Sequence, residues 1–165
     1  MARRKLENLS RKQRQATPYQ FAEYLLWRVR QAFDCTVVAC LWVHPRSVYR
    51  SFLGTDCWDV HRNARTYPGP HPVIAHPPCG GWGKYRSNCF HPLDDGIVAM
   101  QLVHRFGGVV EQPVGSRLFR LHGRLPLVQT VNQADFGHLA LKPTLLYWVW
   151  PDQVDSALAE PVAVT

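Results

Sequence analysis

The chain has 165 residues, of which 46% are hydrophobic and 19% charged, and its formal net charge is +7 at pH 7. This length and composition exclude a fibrous or wholly disordered chain and fit one globular domain with a hydrophobic core. No window reaches the roughly 18 consecutive apolar residues of a membrane-spanning helix. No apolar signal-peptide core follows the basic N-terminus, so we expect a cytoplasmic protein.

Positive charge is concentrated at the N-terminus, in Arg3, Arg4, Lys5, Arg11, Lys12 and Arg14. A basic chain attracts polyanions, so we expect DNA or a nucleotide as a partner. The same segment is equally typical of a solvated, frayed terminus, and the sequence leaves both interpretations open. We therefore divide the chain into a basic arm (1–16) and a single domain (17–165).

The five cysteines argue against the disulfide framework of a secreted protein, because an odd number leaves one unpaired. Cys35, Cys40 and Cys57 lie in or beside apolar runs, which is typical of small buried residues in a reducing compartment. Cys79 is different, because it follows two prolines and precedes two glycines. Such a loop indicates a sulfur that is held at a defined place.

The first predicted element of the domain is an N-terminal helix. Thr17 fits its N-cap, Pro18 its first helical position and Gln20 the closing residue of a capping box. Apolar residues then recur at helical spacing until about Asp34.

Short apolar runs predict the strands of a sheet. In chain order they are CTVVACLWV, TDCWDV, PVIAHPPC, VVEQP, LVQTVNQ and TLLYWVW, the last two forming a pair. A helical turn is predicted at 47–52, and a helix with an acidic start and a Gly-Gly stop at 94–106. Alternating strands and helices predict a mostly parallel α/β sheet. In such sheets function gathers at the carboxyl ends of strands, where Asp59, Cys79 and Glu111 fall.

Three motifs follow one another along these elements: HPPC (76–79), EQP (111–113) and NQADFGHLALKPT (132–144). Together they resemble the DNA cytosine-C5 methyltransferases. In that family a Pro-Cys loop carries the nucleophile, Glu-Asn-Val or Glu-Asn-Pro follows the next strand, and a segment like N-A-x-D-Y-G-x-P-Q-x-R-x-R comes later. The likeness is closer to short phage and prophage proteins of that superfamily, which carry AHPPC, GGVxE(H/N/Q)P and FGHxxxKxT. The resemblance covers about residues 37–150.

The resemblance implies a minimal Rossmann-like fold of the S-adenosylmethionine (SAM)-dependent methyltransferase type. It implies SAM-dependent C5 methylation of cytosine in DNA or in a nucleotide, with Cys79 and Glu111 as catalytic residues. The residues implied in substrate binding are Pro78, Arg86, Gln112, Lys142 and Thr144, and those implied in cofactor binding are Asp59 and Ser47. Gln112 stands where the family has Asn, and Lys142 and Thr144 stand in the places of two arginines.

The chemistry at C5 gives these residue types a reason. Cytosine C5 becomes nucleophilic only after a group adds to C6, and a thiolate adds readily. The charges of Lys84 and Arg86 would lower the pKa of Cys79. Glu111, as a carboxylic acid with a raised pKa, would face N3 of the ring and hold the base as the adduct forms. Duplex DNA would first have to release the base from the stack.

Two features of the family are missing from this sequence. The loop after the first predicted strand reads VHPRSVYRS, where the family has a glycine-rich loop against SAM. We also expect no target-recognition domain, since 165 residues leave no room for one. We therefore expect an enzyme with little sequence preference, one that acts on free nucleotides, or one whose target recognition comes from a partner or a second copy of the chain. For a phage-encoded chain the compartment would be the cytoplasm of the bacterial host.

Three alternative interpretations stay open. A zinc site would use His76, Cys79, Cys89 and His91, although their spacing fits no standard zinc module. A non-enzymatic protein would bind nucleic acid on a degenerate methyltransferase fold, with an affinity that falls steeply with salt. In the third interpretation the chain is still an enzyme in which a thiolate adds to C6, but an electrophile other than a methyl group is transferred to C5. Trp82 and Tyr85 would stack on a base or pack inside the fold.

Overall fold

The structure, a computed structural model, describes residues 17–83, 86, 93–124 and 128–155. Its strands are β1 (Val38–Leu41), β2 (Thr55–Trp58), β3 (Val73–Ala75), β4 (Gly108–Pro113), β5 (Val128–Asn132) and β6 (Pro143–Val149). They form one sheet in the order β2-β1-β3-β4-β6-β5. All neighbours are parallel except that β6 runs antiparallel to both β4 and β5. The predicted mostly parallel α/β sheet is confirmed, and the sheet is compatible with a Rossmann-like fold.

In the described residues three α-helices accompany the sheet: α1 (Tyr19–Phe33), α2 (Asp94–Phe106) and α3 (Leu118–His122). The predicted bounds of α2 are confirmed, whereas α3 was not predicted. Short 3-10 helices span Val48–Ser51, Ala64–Thr66, Gln133–Phe136 and Pro151–Gln153. Within the described part of the chain, every helix is too short or too polar to cross a bilayer.

The start of α1 differs from the prediction. The helix begins at Tyr19, and Pro18 is its N-cap without any side-chain capping bond. Thr17 is therefore not the N-cap, and the predicted capping box is wrong. The physical reason is the extended backbone of Pro18, with ψ of 148°, which places Pro18 outside the helix. At the other end the chain leaves the helix through Asp34 in a left-handed conformation, with φ of 46°.

The central strands β1, β3 and β4 are buried between α1 on one face of the sheet and α2 on the other. Alternate residues of β1 show this directly, because Val38 and Cys40 pack in the cluster of α1 while Ala39 and Leu41 pack in the cluster of α2. A strand that is covered on both faces has a continuous apolar sequence. The alternation of apolar and polar residues therefore does not show which side chains lie on which face. The helices cover the two faces of the sheet. The loops at the carboxyl ends of the strands carry the polar groups.

The order of the strands creates a crevice between β1 and β3. The chain leaves β1 toward β2 on one side, and it leaves β3 toward β4 on the other side. Ligands of open α/β sheets bind at such a point, outside the carboxyl ends of the two diverging strands. Here the loop after β1 contains the 3-10 helix Val48–Ser51, and the loop after β3 is the HPPC segment.

Candidate functional site

A histidine joins three loops at this crevice. His76 follows β3 directly, and its backbone N–H donates to the carbonyl of Leu41 on β1 at 3.0 Å. Its Nδ1 lies 3.1 Å from Oε2 of Glu111 on β4, and its Nε2 lies 3.0 Å from the hydroxyl of Tyr49. The side chains of His76 and Glu111 keep only 13% and 14% of their surface exposed. The three residues therefore form a nearly dry polar chain across the crevice.

The third sequence motif meets the other side of Glu111. Nε2 of Gln133 donates to Oε1 of Glu111 at 3.2 Å and to Oγ1 of Thr144 at 3.0 Å. Thr144 donates in turn to the carbonyl of Lys142 at 3.0 Å. Gln133 and Thr144 are buried, so this part of the network is built into the fold. Each carboxylate oxygen of Glu111 thus has one partner from a different segment of the chain.

The pKa of Glu111 is shifted in the opposite direction to the one predicted. Burial raises the pKa of Glu111, but the hydrogen bond and the charge of His76 lower it more. The charge of Lys142 and the amide of Gln133 add to this, so the pKa of Glu111 lies below its ordinary value of 4.5. The predicted raised pKa is therefore wrong, because the carboxylate has cationic and donor groups on both sides.

Replacing Glu111 with Gln should make stability less dependent on acid. The depressed pKa of Glu111 in the folded chain stabilises the fold above the unfolded value near 4.5, and this contribution is lost as the pH falls through the folded pKa. We expect Glu111→Gln to cost about 1–3 kcal/mol in the free energy of unfolding at pH 7. The difference in the free energy of unfolding between the unaltered chain and Glu111→Gln should decrease between pH 5 and pH 3. Urea unfolding at each pH measures it, and a gap that is constant with pH would contradict this assignment.

The HPPC loop is held from behind by the residue after Glu111. Nε2 of Gln112 donates to the carbonyl of Pro77 at 2.8 Å, and Oγ of Ser116 donates to Oε1 of Gln112 at 3.0 Å. Beyond the prolines, the carbonyl of Cys79 accepts from the backbone N–H groups of Trp82 at 3.0 Å and Gly83 at 2.9 Å. These bonds fix the backbone on both sides of the thiol, while the Cys79 side chain itself is exposed.

Replacing Gln112 with Ala should loosen this loop. The change leaves the buried Pro77 carbonyl without its donor and opens a cavity, so we expect a loss of about 2–4 kcal/mol in the free energy of unfolding. Because the loop then samples more conformations, the rate at which Cys79 reacts with a disulfide reagent should change as well. The matched control is Gln101→Ala on the exposed side of α2, which should stay within about 0.5 kcal/mol of the unaltered chain. Equal effects of the two substitutions would contradict the role of Gln112.

The predicted substrate-binding residues occupy different environments. Gln112 is 1% exposed and Thr144 is fully buried, so both position other groups and do not contact a substrate in this arrangement. Lys142 is half-buried and acts on Glu111 through its charge. Pro78 is half-buried in the HPPC loop, and Arg86 is exposed a few residues beyond Cys79. Lys84, predicted to share the cationic field with Arg86, lies outside the described residues.

Trp82 packs inside the fold, as one of the two interpretations predicted. Its side chain is 5% exposed and its ring makes an edge contact with His122, at 5.2 Å between the ring centroids. A Cβ on Gly96 would overlap the Trp82 ring, which shows how closely α2 approaches it. Tyr85, considered with Trp82 as a base-stacking residue, lies outside the described residues.

The residues predicted to bind SAM are engaged within the chain. Asp59 forms an ion pair with Arg50 and accepts the backbone N–H of His61 at 2.9 Å. The bond from His61 and the charge of Arg50 lower the pKa of Asp59. Oγ of Ser47 accepts the backbone N–H of Tyr49 at 3.4 Å, capping the 3-10 helix. Residues 43–51 contain no glycine and place the buried Tyr49 at the crevice, so this segment differs from the glycine-rich loop that the family holds against SAM.

The hydrogen bonds of His76 do not fit the alternative interpretation as a zinc site. Both ring nitrogens of His76 have partners, Glu111 and Tyr49, so His76 has no free nitrogen for a metal. Among the residues that the structure describes, no group of three or more His, Cys, Asp or Glu side chains is arranged to hold a metal ion. Cys89 and His91 lie outside those residues.

Sequence reasoning missed Tyr49 and Gln133, and it considered His76 only as a ligand in the alternative zinc site. His76 is the first residue of the HPPC motif and directly follows a predicted strand. This position was the signal that could have indicated a role at the edge of the sheet. A separate cavity of about 450 Å³ lies beside α3 and contains none of the predicted site residues. It is lined by Ser116, Phe119, Arg120, Gly123, Arg124, Val128 and Leu145.

Comparison with known proteins gives no relative from which a role could be transferred. No protein-family model matches the chain, and no significant match is found among curated proteins or among solved structures.

Proposed function

We propose that the chain modifies a pyrimidine base at C5, with Cys79 as nucleophile and Glu111 as the group that holds the base. Methyl transfer from SAM to cytosine, in DNA or in a nucleotide, is the reaction that the resemblance to the DNA cytosine-C5 methyltransferases implies. The resemblance also implies a methyltransferase-type Rossmann-like fold, with which the observed order of strands is compatible.

One observation carries the proposal: the three motifs of the resemblance meet in space. The HPPC motif contributes His76 and the carbonyl of Pro77, and the EQP motif contributes Glu111 and Gln112. The third motif contributes Gln133, Thr144 and Lys142 to the same network. A structural cysteine in an ordinary tight loop gives no reason for these segments to converge beside it.

The reaction begins at the exposed thiol. The Cys79 thiolate adds to C6 of the ring, and the electron pair of the C5–C6 double bond moves toward N3 and leaves C5 nucleophilic. C5 then forms a bond to an electrophile, whose leaving group departs with the bonding electron pair. C5 gives up its proton to water, elimination of the thiolate restores the C5–C6 double bond, and N3 returns its proton to Glu111. From His76 to Cys79 the chain has three peptide units and can span at most about 11 Å, so Cys79 lies on the same short loop as the histidine that contacts Glu111.

Glu111 and His76 handle the proton that the ring requires. Since Glu111 is a carboxylate in the free protein, it can accept a hydrogen bond from the exocyclic amino group of cytosine. As negative charge accumulates on N3 after thiolate addition, His76 in its imidazolium form passes its Nδ1 proton to Glu111, which passes a proton to N3, and a neutral imidazole with its N–H at Nε2 remains. Burial raises the pKa of Tyr49, so its neutral hydroxyl stays bonded to Nε2 and fixes the orientation of the imidazole.

A 5-fluorocytosine oligonucleotide tests the methyl-transfer reaction. Fluorine at C5 blocks the last elimination, so methyl transfer leaves the protein covalently bound to the oligonucleotide. We expect an adduct in the intact-protein mass that requires both SAM and Cys79, with Cys79→Ala as the control. An adduct that also forms with Cys79→Ala would overturn the role of the thiol, and no adduct with SAM present would overturn SAM as the methyl donor.

A non-enzymatic nucleic-acid-binding protein is the second candidate. The observation that favours it is the engagement of Asp59 and Ser47 within the chain, together with the net charge of +7. This function predicts an affinity for single-stranded DNA that falls steeply between 50 and 200 mM salt and is the same for Cys79→Ala. Loss of C5 chemistry with unchanged binding in that variant would decide for the enzyme.

A further inference from the structure

Two cysteines outside the candidate site face each other across neighbouring strands. Cys40 on β1 and Cys57 on β2 are register partners, and both side chains lie in the cluster on the α1 face of the sheet. Neighbouring strands are about 4.8 Å apart, which lies within the range of about 4.4–6.8 Å between Cα atoms that a disulfide requires. The Cys40 thiol donates to the carbonyl of Val38 at 3.9 Å, within its own strand.

The environments of the two sulfur atoms differ. Cys40 is fully buried, whereas Cys57 keeps 7% of its surface exposed on β2, the outer strand of the described sheet. The neighbouring Cys40 thiol, the Thr55 hydroxyl and the charge of Arg50 lower the pKa of Cys57 to about 7, although burial opposes this. Burial raises the pKa of Cys40 well above its ordinary value. Cys57 is therefore the thiolate that a reagent meets first, and Cys40 is the thiol behind it.

We propose that Cys40 and Cys57 are a redox-active thiol pair, which a peroxide converts into a disulfide. The Cys57 thiolate attacks one peroxide oxygen, the O–O bond breaks, and the products are a sulfenic acid on Cys57 and hydroxide. The sulfur of Cys40 then attacks the sulfenic sulfur and forms the S–S bond. The Cys40 proton and the departing hydroxyl leave as water, so two electrons pass from the thiols to the peroxide.

The pair lies beneath the candidate site and does not depend on it. Tyr49, whose hydroxyl contacts His76, packs in the same cluster as Cys40 and Cys57. The inference goes beyond the proposed function, because it needs neither a nucleotide nor Cys79. An ordinary pair of buried apolar cysteines would look similar in sequence but would not react with a peroxide in the folded chain.

The test uses the full chain carrying Cys79→Ser, which removes the exposed thiol and leaves four cysteines of the original five. After hydrogen peroxide treatment of the folded protein, we expect two thiols to be lost and to return with dithiothreitol. Trypsin should yield a disulfide-linked pair of the peptides 31–46 and 51–62. Peptide 31–46 also contains Cys35, so the matched control is Cys35→Ser, which should keep the link.

A second variant separates the two steps. With Cys40→Ser, oxidation of Cys57 should stop at the sulfenic acid, which dimedone captures. The proposal is overturned if Cys40 and Cys57 stay reduced at a peroxide concentration that oxidises Cys79 in the unaltered chain. It is also overturned if the link is lost in Cys35→Ser, or if either thiol pairs with Cys89.

Discussion

Replacing Cys79 with Ser should abolish exchange of the cytosine C5 hydrogen with solvent. Addition of the thiolate to C6 turns C5 into a carbon that accepts a proton, so reversal of the addition washes deuterium out of C5 without any methyl donor. A serine hydroxyl is a far weaker nucleophile at neutral pH than a thiolate. We expect the exchange rate to fall by about 10⁴-fold or more, as for other nucleophile deletions. Mass spectrometry of C5-deuterated cytosine in an oligonucleotide and in the free nucleotide measures it.

Cys35→Ser is the matched control for this change. It makes the same substitution at a half-buried cysteine outside the candidate site and should leave the exchange rate unchanged. Because Cys79 is exposed, its substitution should alter the free energy of unfolding by no more than about 0.5 kcal/mol. If exchange persisted in a folded Cys79→Ser chain, the Cys79 thiol would not be the nucleophile of the reaction.

Gly108→Ala should produce the largest loss of stability. Gly108 opens β4 with φ of +115°, a conformation that L-residues rarely adopt, and a Cβ there would overlap the backbone carbonyl of Val73 on β3. Since Val73 and Gly108 are register partners, the methyl group would push apart the two strands that carry the HPPC loop and Glu111. We expect a loss of about 3–5 kcal/mol in the free energy of unfolding, measured by urea denaturation.

Gly115→Ala separates the two causes of that loss. Gly115 also has a positive φ, of +96°, but nothing lies within 4 Å of an added Cβ. The substitution should therefore cost only the backbone strain, about 1–2 kcal/mol. If both variants lost the same stability, the close approach of β3 and β4 would not be the cause.

Much of the fold could be predicted because the signals were local. The acidic start and the glycine stop of α2 gave its observed bounds, and the apolar runs gave the strands. The helix α3 was missed because its five residues are too few to show a helical period. The start of α1 was misplaced because Pro18 suits both the N-cap and the first helical position, and only the backbone conformation distinguishes them.

The candidate site was less predictable, because its contacts join distant segments. The motifs identified Cys79 and Glu111, but Tyr49 lies 27 positions from His76, and Gln133 lies 22 from Glu111. Nothing in a single sequence pairs such residues. The direction of the Glu111 pKa was wrong for the same reason, since burial could be expected from sequence whereas the bond from His76 could not.

The central claim is that Cys79 adds to C6 of a cytosine ring. Its most direct test is the intact-protein mass after incubation with a single-stranded oligonucleotide that contains 5-azacytosine. Nitrogen at position 5 makes C6 more electrophilic, so the thiolate adduct forms without a methyl donor. We expect the mass to rise by one oligonucleotide and the linkage to map to Cys79. An unchanged mass of the folded chain, or a linkage at another residue, would contradict the claim.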